Sequence, residues 1–174
     1  MTFSPSRIFA IDPGNIHSAY VLYCPRSHTV LQKGKVLNEL LRRKLNRDRH
    51  NQNYIFVIEM IKSYGMAVGA SVFDTCIWIG RFTEILERAG REVHFMGRKD
   101  AVIEICHCTK AKDSNVRTAL IDLFPATGGG ATPQIGTKKE PGPLFGMAKD
   151  TWAALAVAIA FHKKQKGEND AVST

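Results

Sequence analysis

Hydrophobic positions run unbroken through Ile8, Phe9, Ala10 and Ile11, then stop on a carboxylate, Asp12, and a turn sequence, Pro13-Gly14-Asn15. Such continuity predicts a strand buried on both faces. Residues 17–23 read as a second, antiparallel strand, with residues 28–32 continuing the meander. Residues 37–47 predict a basic helix, and residues 54–58 a strong strand that ends on Glu59. Val72, Cys76, Ile79, Phe82 and Leu86 recur at helical steps, so residues 66–89 predict a helix that Gly90 stops. A strand at 92–96, a short helix at 98–106 and a helix at 114–123, capped by Asp113 or Ser114, follow. Residues 126–146 are rich in Gly and Pro and predict a mobile or ligand-ordered loop. Residues 149–163 are apolar nearly all round, which predicts a buried helix. The order of elements predicts an α/β fold, a mixed sheet with helices on its faces, in one domain over residues 1–163. Residues 164–174 are expected to be a disordered tail.

Length and charge narrow the function. A chain of 174 residues suits a single core. Its 24 Lys and Arg against 16 Asp and Glu leave a net charge of +8, which favours a polyanionic partner. Nucleic acid is the commonest such partner, although a membrane surface fits net charge as well. The longest apolar run, Trp152 to Phe161, is about half of the roughly 20 residues that span a bilayer, so no membrane partner is expected. Four cysteines with no signal peptide before Arg7 suggest a reducing cytoplasm. Cys106-His107-Cys108 lacks a second pair at zinc-finger spacing, and ordinary half-buried strand cysteines are expected there.

The candidate chemistry lies in the acids. Asp is depleted in strands and costly to bury unless it is paired or binds a metal. Asp12 either caps the Pro13-Gly14 turn or faces a ligand at the sheet edge. Glu59 repeats its placement. If the two strands are parallel neighbours, both carboxylates emerge at one carboxyl edge, where α/β proteins place ligands. Asp150 stands at the start of the buried helix, where it either caps free N–H groups or joins the pair. Three such carboxylates would make a hard oxygen site for Mg²⁺ or Mn²⁺. In a basic protein this points to phosphodiester hydrolysis, with two ions activating the attacking water and stabilising the leaving oxygen.

The segments Ile8-Phe9-Ala10-Ile11-Asp12-Pro13-Gly14, Val57-Ile58-Glu59 and Ala153-Ala154-Leu155-Ala156-Val157-Ala158 resemble, in order and spacing, the RuvC-type Holliday junction resolvases of the RNase H-like (retroviral integrase) superfamily. Lys112-Asp113-Ser114-Asn115-Val116-Arg117 and Pro141-Gly142-Pro143-Leu144-Phe145-Gly146 are similar to bacteriophage members. The resemblance implies an RNase H-like mixed five-stranded sheet flanked by helices on both faces. It further implies a metal-dependent endonuclease that nicks four-way or branched DNA symmetrically as a homodimer, in the host-cell cytoplasm if phage-encoded. Asp12, Glu59 and Asp150 would be both the catalytic residues and the ligands of two Mg²⁺ or Mn²⁺ ions. The family's last helix commonly carries two ligands three residues apart, and here the pair reads Asp150 and Ala153. Either three acids suffice, or Lys149, His162 or another side chain substitutes.

Basic residues fall in three groups that could contact phosphates: Arg42, Arg43, Lys44, Arg47 and Arg49; Arg98, Lys99, Lys110, Lys112 and Arg117; and Lys138 with Lys139. Each group could equally be a solvated face. The resemblance suggests a wedge at the junction centre, for which Tyr64 or Met66 would serve, although packing would also explain them. The helix over residues 66–89, with Trp78 and Phe82, would supply the dimer interface or simply pack into the core. Other readings are a less selective DNA or RNA–DNA hybrid nuclease, and a branched-DNA-binding protein whose catalysis is weakened by Ala153. An actin-like or sugar-kinase-like phosphate site needs two lobes, for which the chain is too short.

Overall fold

The protein is described from a computed structural model covering residues 7–63, 65 and 67–172, with side chains through residue 168. Strands β1 (Arg7–Asp12), β2 (His17–Cys24) and β3 (Thr29–Leu37) form an antiparallel meander, and helix α1 (Asn38–Asp48) leads to β4 (Tyr54–Met60), parallel to β1. Helix α2 (Ala70–Glu87) leads to β5 (Val93–Gly97), parallel to β4, followed by α3 (Arg98–Cys106), α4 (Asp113–Asp122) and α5 (Lys149–Val172). The sheet order is β3-β2-β1-β4-β5.

Alternation along the central strands sorts the core into two halves. Phe9 and Ile11 of β1 join Phe56 and Ile58 of β4 beneath α1 and α2, against Leu41, Leu45, Ile79, Phe82 and Leu86. Ile8, Ala10 and Val57 face the other way, beneath α3, α4 and α5. Helix α5 is the main cover of that face. Its residues Ala154 through Phe161 are all buried, each large apolar side chain among them contributing roughly 1.5–3 kcal/mol.

The elements predicted from periodicity are all present, with shifts that have physical causes. Strand β3 runs on to Leu37 because it continues to pair with β2 as far as His17↔Leu37. Glu59 lies inside β4, opposite Met96, rather than beyond its end. The buried stripe of α2 is Thr75, Ile79, Phe82 and Leu86, and Cys76 is exposed. At the start of α4, Lys112 is the cap residue, and Asn115 Oδ1 accepts its N–H at 2.9 Å in place of an Asp113 or Ser114 cap. Cys106 ends a helix rather than lying in a strand, His107 reverses the chain with φ of 51°, and Cys108 is exposed.

Residues 126–146 hold no helix or strand, and backbone hydrogen bonds tie them together. Gly128 N–H donates to Pro133 O at 2.8 Å, Gly142 N–H to Ile135 O at 2.9 Å and Leu144 N–H to Gln134 O at 2.8 Å. Gly136 has φ of +76°, and a Cβ there would lie 2.1 Å from Gly142 N. The glycines thus serve backbone-on-backbone packing. Helix α5 continues to Val172 through most of the segment expected to be disordered. Once its buried half has formed, each further residue adds a hydrogen bond at little cost, and Lys164 pairs with Glu168 at 4.0 Å.

Candidate active site

Asp12 and Glu59 are brought together by strand pairing. Ile11 lies beside Ile58 in the parallel register of β1 and β4, so the next step places Asp12 beside Glu59. Asp12 continues the Ile8-Ala10 face and Glu59 the Val57 face, so both side chains point beneath α5 rather than toward α1. Asp150 enters from above in the first turn of α5. These acids share a cleft of about 480 Å³ with Arg98 of α3, Asp113 and Arg117 of α4, and Lys149. Ala153 lines the same cleft, so the position three residues beyond Asp150 faces the site with a methyl group.

The two strand acids are held against their preference for charge. Burial raises the Asp12 carboxyl to about 6, with Arg98 acting to lower it and Asp150 to raise it further. Burial and then the Asp12 charge raise Glu59 to about 7, offset in part by Arg98 and reinforced by Asp113. Positive side chains already lean on the acids. Arg98 Nη1 lies 3.9 Å from Glu59 Oε1, Arg98 Nη2 lies 2.9 Å from Asp113 Oδ1, and Lys35 Nζ of β3 lies 2.5 Å from Asp150 Oδ2.

The donor set fits a hard divalent cation. It consists of carboxylate oxygens, and it carries the repulsion that such an ion would relieve. Among the described residues, no group of three His, Cys, Asp or Glu side chains stands close enough to close on one ion. Asp150 is turned to Lys35. His162 is no substitute ligand: it lies twelve residues along α5, about 18 Å from Asp150 at 1.5 Å per residue, and its charged neighbours are His28 and Lys166.

A polar network sets the turn beyond Asp12. Asn38 Nδ2 donates to Gly14 O at 2.8 Å, Ser18 Oγ donates to Asn38 Oδ1 at 2.6 Å, and Gly14 N–H donates to Ser18 Oγ at 3.1 Å. Ser18 and Asn38 are buried. A Cβ on Gly14 would lie 2.3 Å from His17 O, so the turn admits only glycine as it is built. Sequence reasoning missed Ser18, Asn38, Lys35 and the cleft position of Asp113. A serine inside apolar β2 and an asparagine just after β3 were the available signals.

The basic groups divide. Arg98 and Arg117 line the cleft, and Arg117 lies 5.1 Å from the Trp152 ring centroid, which holds its guanidinium on the wall. Lys99, Lys110 and Lys112 are exposed on or between α3 and α4, and Lys138 and Lys139 are exposed between the paired residues Gly136 and Pro141. The α1 group lies on the opposite face of the sheet. Arg42 pairs with Glu39 at 2.8 Å, Lys44 with Asp48 at 2.9 Å over the Phe9 and Tyr20 rings, and Arg47 with Asp48 at 3.1 Å. Arg49 contacts His50, and Arg43 is exposed. Tyr64 and Met66 lie outside the described residues.

The same arrangement of strands and helices is found in solved structures. RuvC of Thermus thermophilus superposes with a TM-score of 0.68 at 13% identity, over 93% of this chain and 96% of that one. The chain has the RuvC fold. The complex of T. thermophilus RuvC with a Holliday junction substrate aligns at TM-score 0.69 and 13% identity, over 94% of this chain and 96% of that one. Fowlpox virus resolvase, in complex with substrate Holliday junction DNA, aligns at TM-score 0.53 and 10% identity, over 91% of this chain and 98% of that one. No protein-family model and no curated protein matches the sequence. The RuvC fold is RNase H-like, a mixed sheet of five strands with helices on both faces, as the resemblance implied. At this identity the fold conveys architecture, so the side chains of the cleft carry the chemistry.

Proposed function

We propose that this chain is a metal-dependent endonuclease that resolves Holliday junctions and related branched DNA by phosphodiester hydrolysis with paired, symmetric nicks. The observation that carries the proposal is the pairing of Asp12 with Glu59 on adjacent parallel strands, beneath Asp150, in a cleft whose walls carry Arg98 and Arg117. Asp12, Glu59 and Asp150 would hold the metal. Mg²⁺ or Mn²⁺, as two ions, would supply charge stabilisation of the phosphate and activation of water. The chain's own side chains bind and orient: the carboxylates would hold the ions, Arg117 stacked on Trp152 contacts a phosphate, and Lys149 adds positive charge at the cleft.

Symmetric nicking calls for a two-fold dimer. Phe82 is fully buried, and Trp78 packs on it while remaining half-buried. Phe73 and Ile77, one turn apart on α2, are 61% and 53% exposed and fit a second copy of the same helix. This support is geometric and independent of the cleft.

The test is cleavage of a synthetic mobile four-way junction with Mg²⁺ or Mn²⁺, beside linear duplex and RNA–DNA hybrid. The native chain should nick the junction in pairs, and Asp12→Asn should bind it without cutting. Equal cutting of linear duplex or hybrid would replace resolution with the less selective nuclease reading. Binding without cleavage under every divalent metal would leave a branched-DNA-binding protein.

A further inference from the structure

Arg98 is the first residue of α3, directly after β5, and its guanidinium spans acids on two different elements. Nη1 lies 3.9 Å from Glu59 Oε1 and Nη2 donates to Asp113 Oδ1 at 2.9 Å. Glu59 is mostly buried, with 15% of its side chain exposed, whereas Arg98 is 54% exposed and lies toward solvent. A guanidinium and a divalent ion drawn to the same carboxylates compete, because each relieves the same negative charge. Asp113 gives the arginine a second anchor at the rim, so it can leave Glu59 without losing every partner. Ala153 brings no carboxylate to its side of the cleft, which leaves more room for an anion there.

We propose that Arg98 exchanges partners during the reaction cycle: it neutralises Glu59 while the acids lack metal, and it turns to the substrate phosphate when the ion takes Glu59. Asp113 acts through Arg98, as the tether that holds the guanidinium at the rim. The proposal rests on the reading of this cleft as a metal-dependent nuclease site.

The experiment is calorimetric titration with Mn²⁺ of the native protein, Arg98→Gln, Asp113→Asn, the double variant and Asp12→Asn, with circular dichroism to confirm folding. Arg98→Gln should bind Mn²⁺ more tightly, on the order of tenfold, because one competing positive charge is gone. Single-turnover cleavage at saturating Mn²⁺ should nevertheless slow at least about tenfold. Asp113→Asn should weaken Mn²⁺ binding by leaving Arg98 on Glu59, and that weakening should vanish in the double variant. Unchanged or weaker Mn²⁺ binding in Arg98→Gln would overturn the exchange, provided Asp12→Asn abolishes binding. Weakening that persists in the double variant would make Asp113 a ligand and overturn its role as tether. Tighter binding with undiminished cleavage would overturn the phosphate contact. If Asp12→Asn binds Mn²⁺ like the native chain, the metal-site reading itself falls.

Discussion

Asn38 holds Gly14 in place across the sheet edge, its Nδ2 donating to the Gly14 carbonyl oxygen at 2.8 Å. The bond ties the first turn of α1 to the turn that follows Asp12, and Ser18 closes the network from β2. Asn38→Leu would strand the buried Ser18 hydroxyl and the Gly14 carbonyl. We expect a loss of about 2–3 kcal/mol in urea denaturation and weaker Mn²⁺ binding, since Asp12 would lose its support. A variant within about 0.5 kcal/mol of the native chain would show that the network does not hold the turn.

Asp12 and Glu59 make stability fall with rising pH when no metal is present. Their folded-state values, about 6 and about 7, lie above those of the unfolded chain, so the folded protein binds more protons in the window between. The resulting penalty is absent below the unfolded values near pH 4 and complete above about pH 7. Asp12→Asn should therefore be more stable to unfolding than the native chain at pH 8, by on the order of 2 kcal/mol, with the difference closing toward pH 4. Added Mn²⁺ should raise the native melting temperature most at high pH. A native melting temperature that climbs between pH 5 and 8 without metal would contradict the assignment.

Gly136 sits where its backbone packs on Gly142, with φ of +76°. Gly136→Ala meets both the positive φ and a contact of 2.1 Å to Gly142 N, so the loop must open. The expected cost is about 2–4 kcal/mol, read by chemical denaturation. Hydrogen exchange should show lost protection at Gly142 and Leu144, whose N–H groups bond across the loop.

Phe73 and Ile77 are exposed on α2, so replacing them should spare the monomer's core. The pair Phe73→Glu and Ile77→Glu should convert a dimer to monomer in sedimentation velocity, with unfolding free energy per monomer changed by less than about 1 kcal/mol. A native chain that sediments as a monomer at tens of micromolar would remove this interface.

Much of the fold was legible because local periodicity reports burial. The unbroken run from Ile8 to Ile11, the matching strand before Glu59 and the apolar stretch of α5 from Ala153 to Phe161 each follow from which faces must leave water. Arg98 and Asp113 were harder to read. From sequence one is a member of a basic group that could contact phosphate and the other a helix cap, and only the fold shows that α3 and α4 turn both into the cleft. The α1 basic group reads from sequence as a phosphate contact or a solvated face, and only the fold shows that its helix packs over Phe9, on the face of the sheet opposite the cleft. A helix's own sequence records which of its faces is apolar, not which side of the sheet it will cover.

By itself the sequence determined the strands, the buried last helix and the parity that gives Asp12 and Glu59 their strand positions, because these depend on side-chain alternation over a few residues. Tertiary structure decided the rest. Parallel pairing of β1 with β4 set Asp12 beside Glu59, and the covering of one face by α3, α4 and α5 brought Asp150, Asp113 and Arg98 to them. Lys35 reached Asp150 only through the β2–β3 pairing. Those contacts join residues far apart in the chain, and their energies arise only once the intervening loops have closed.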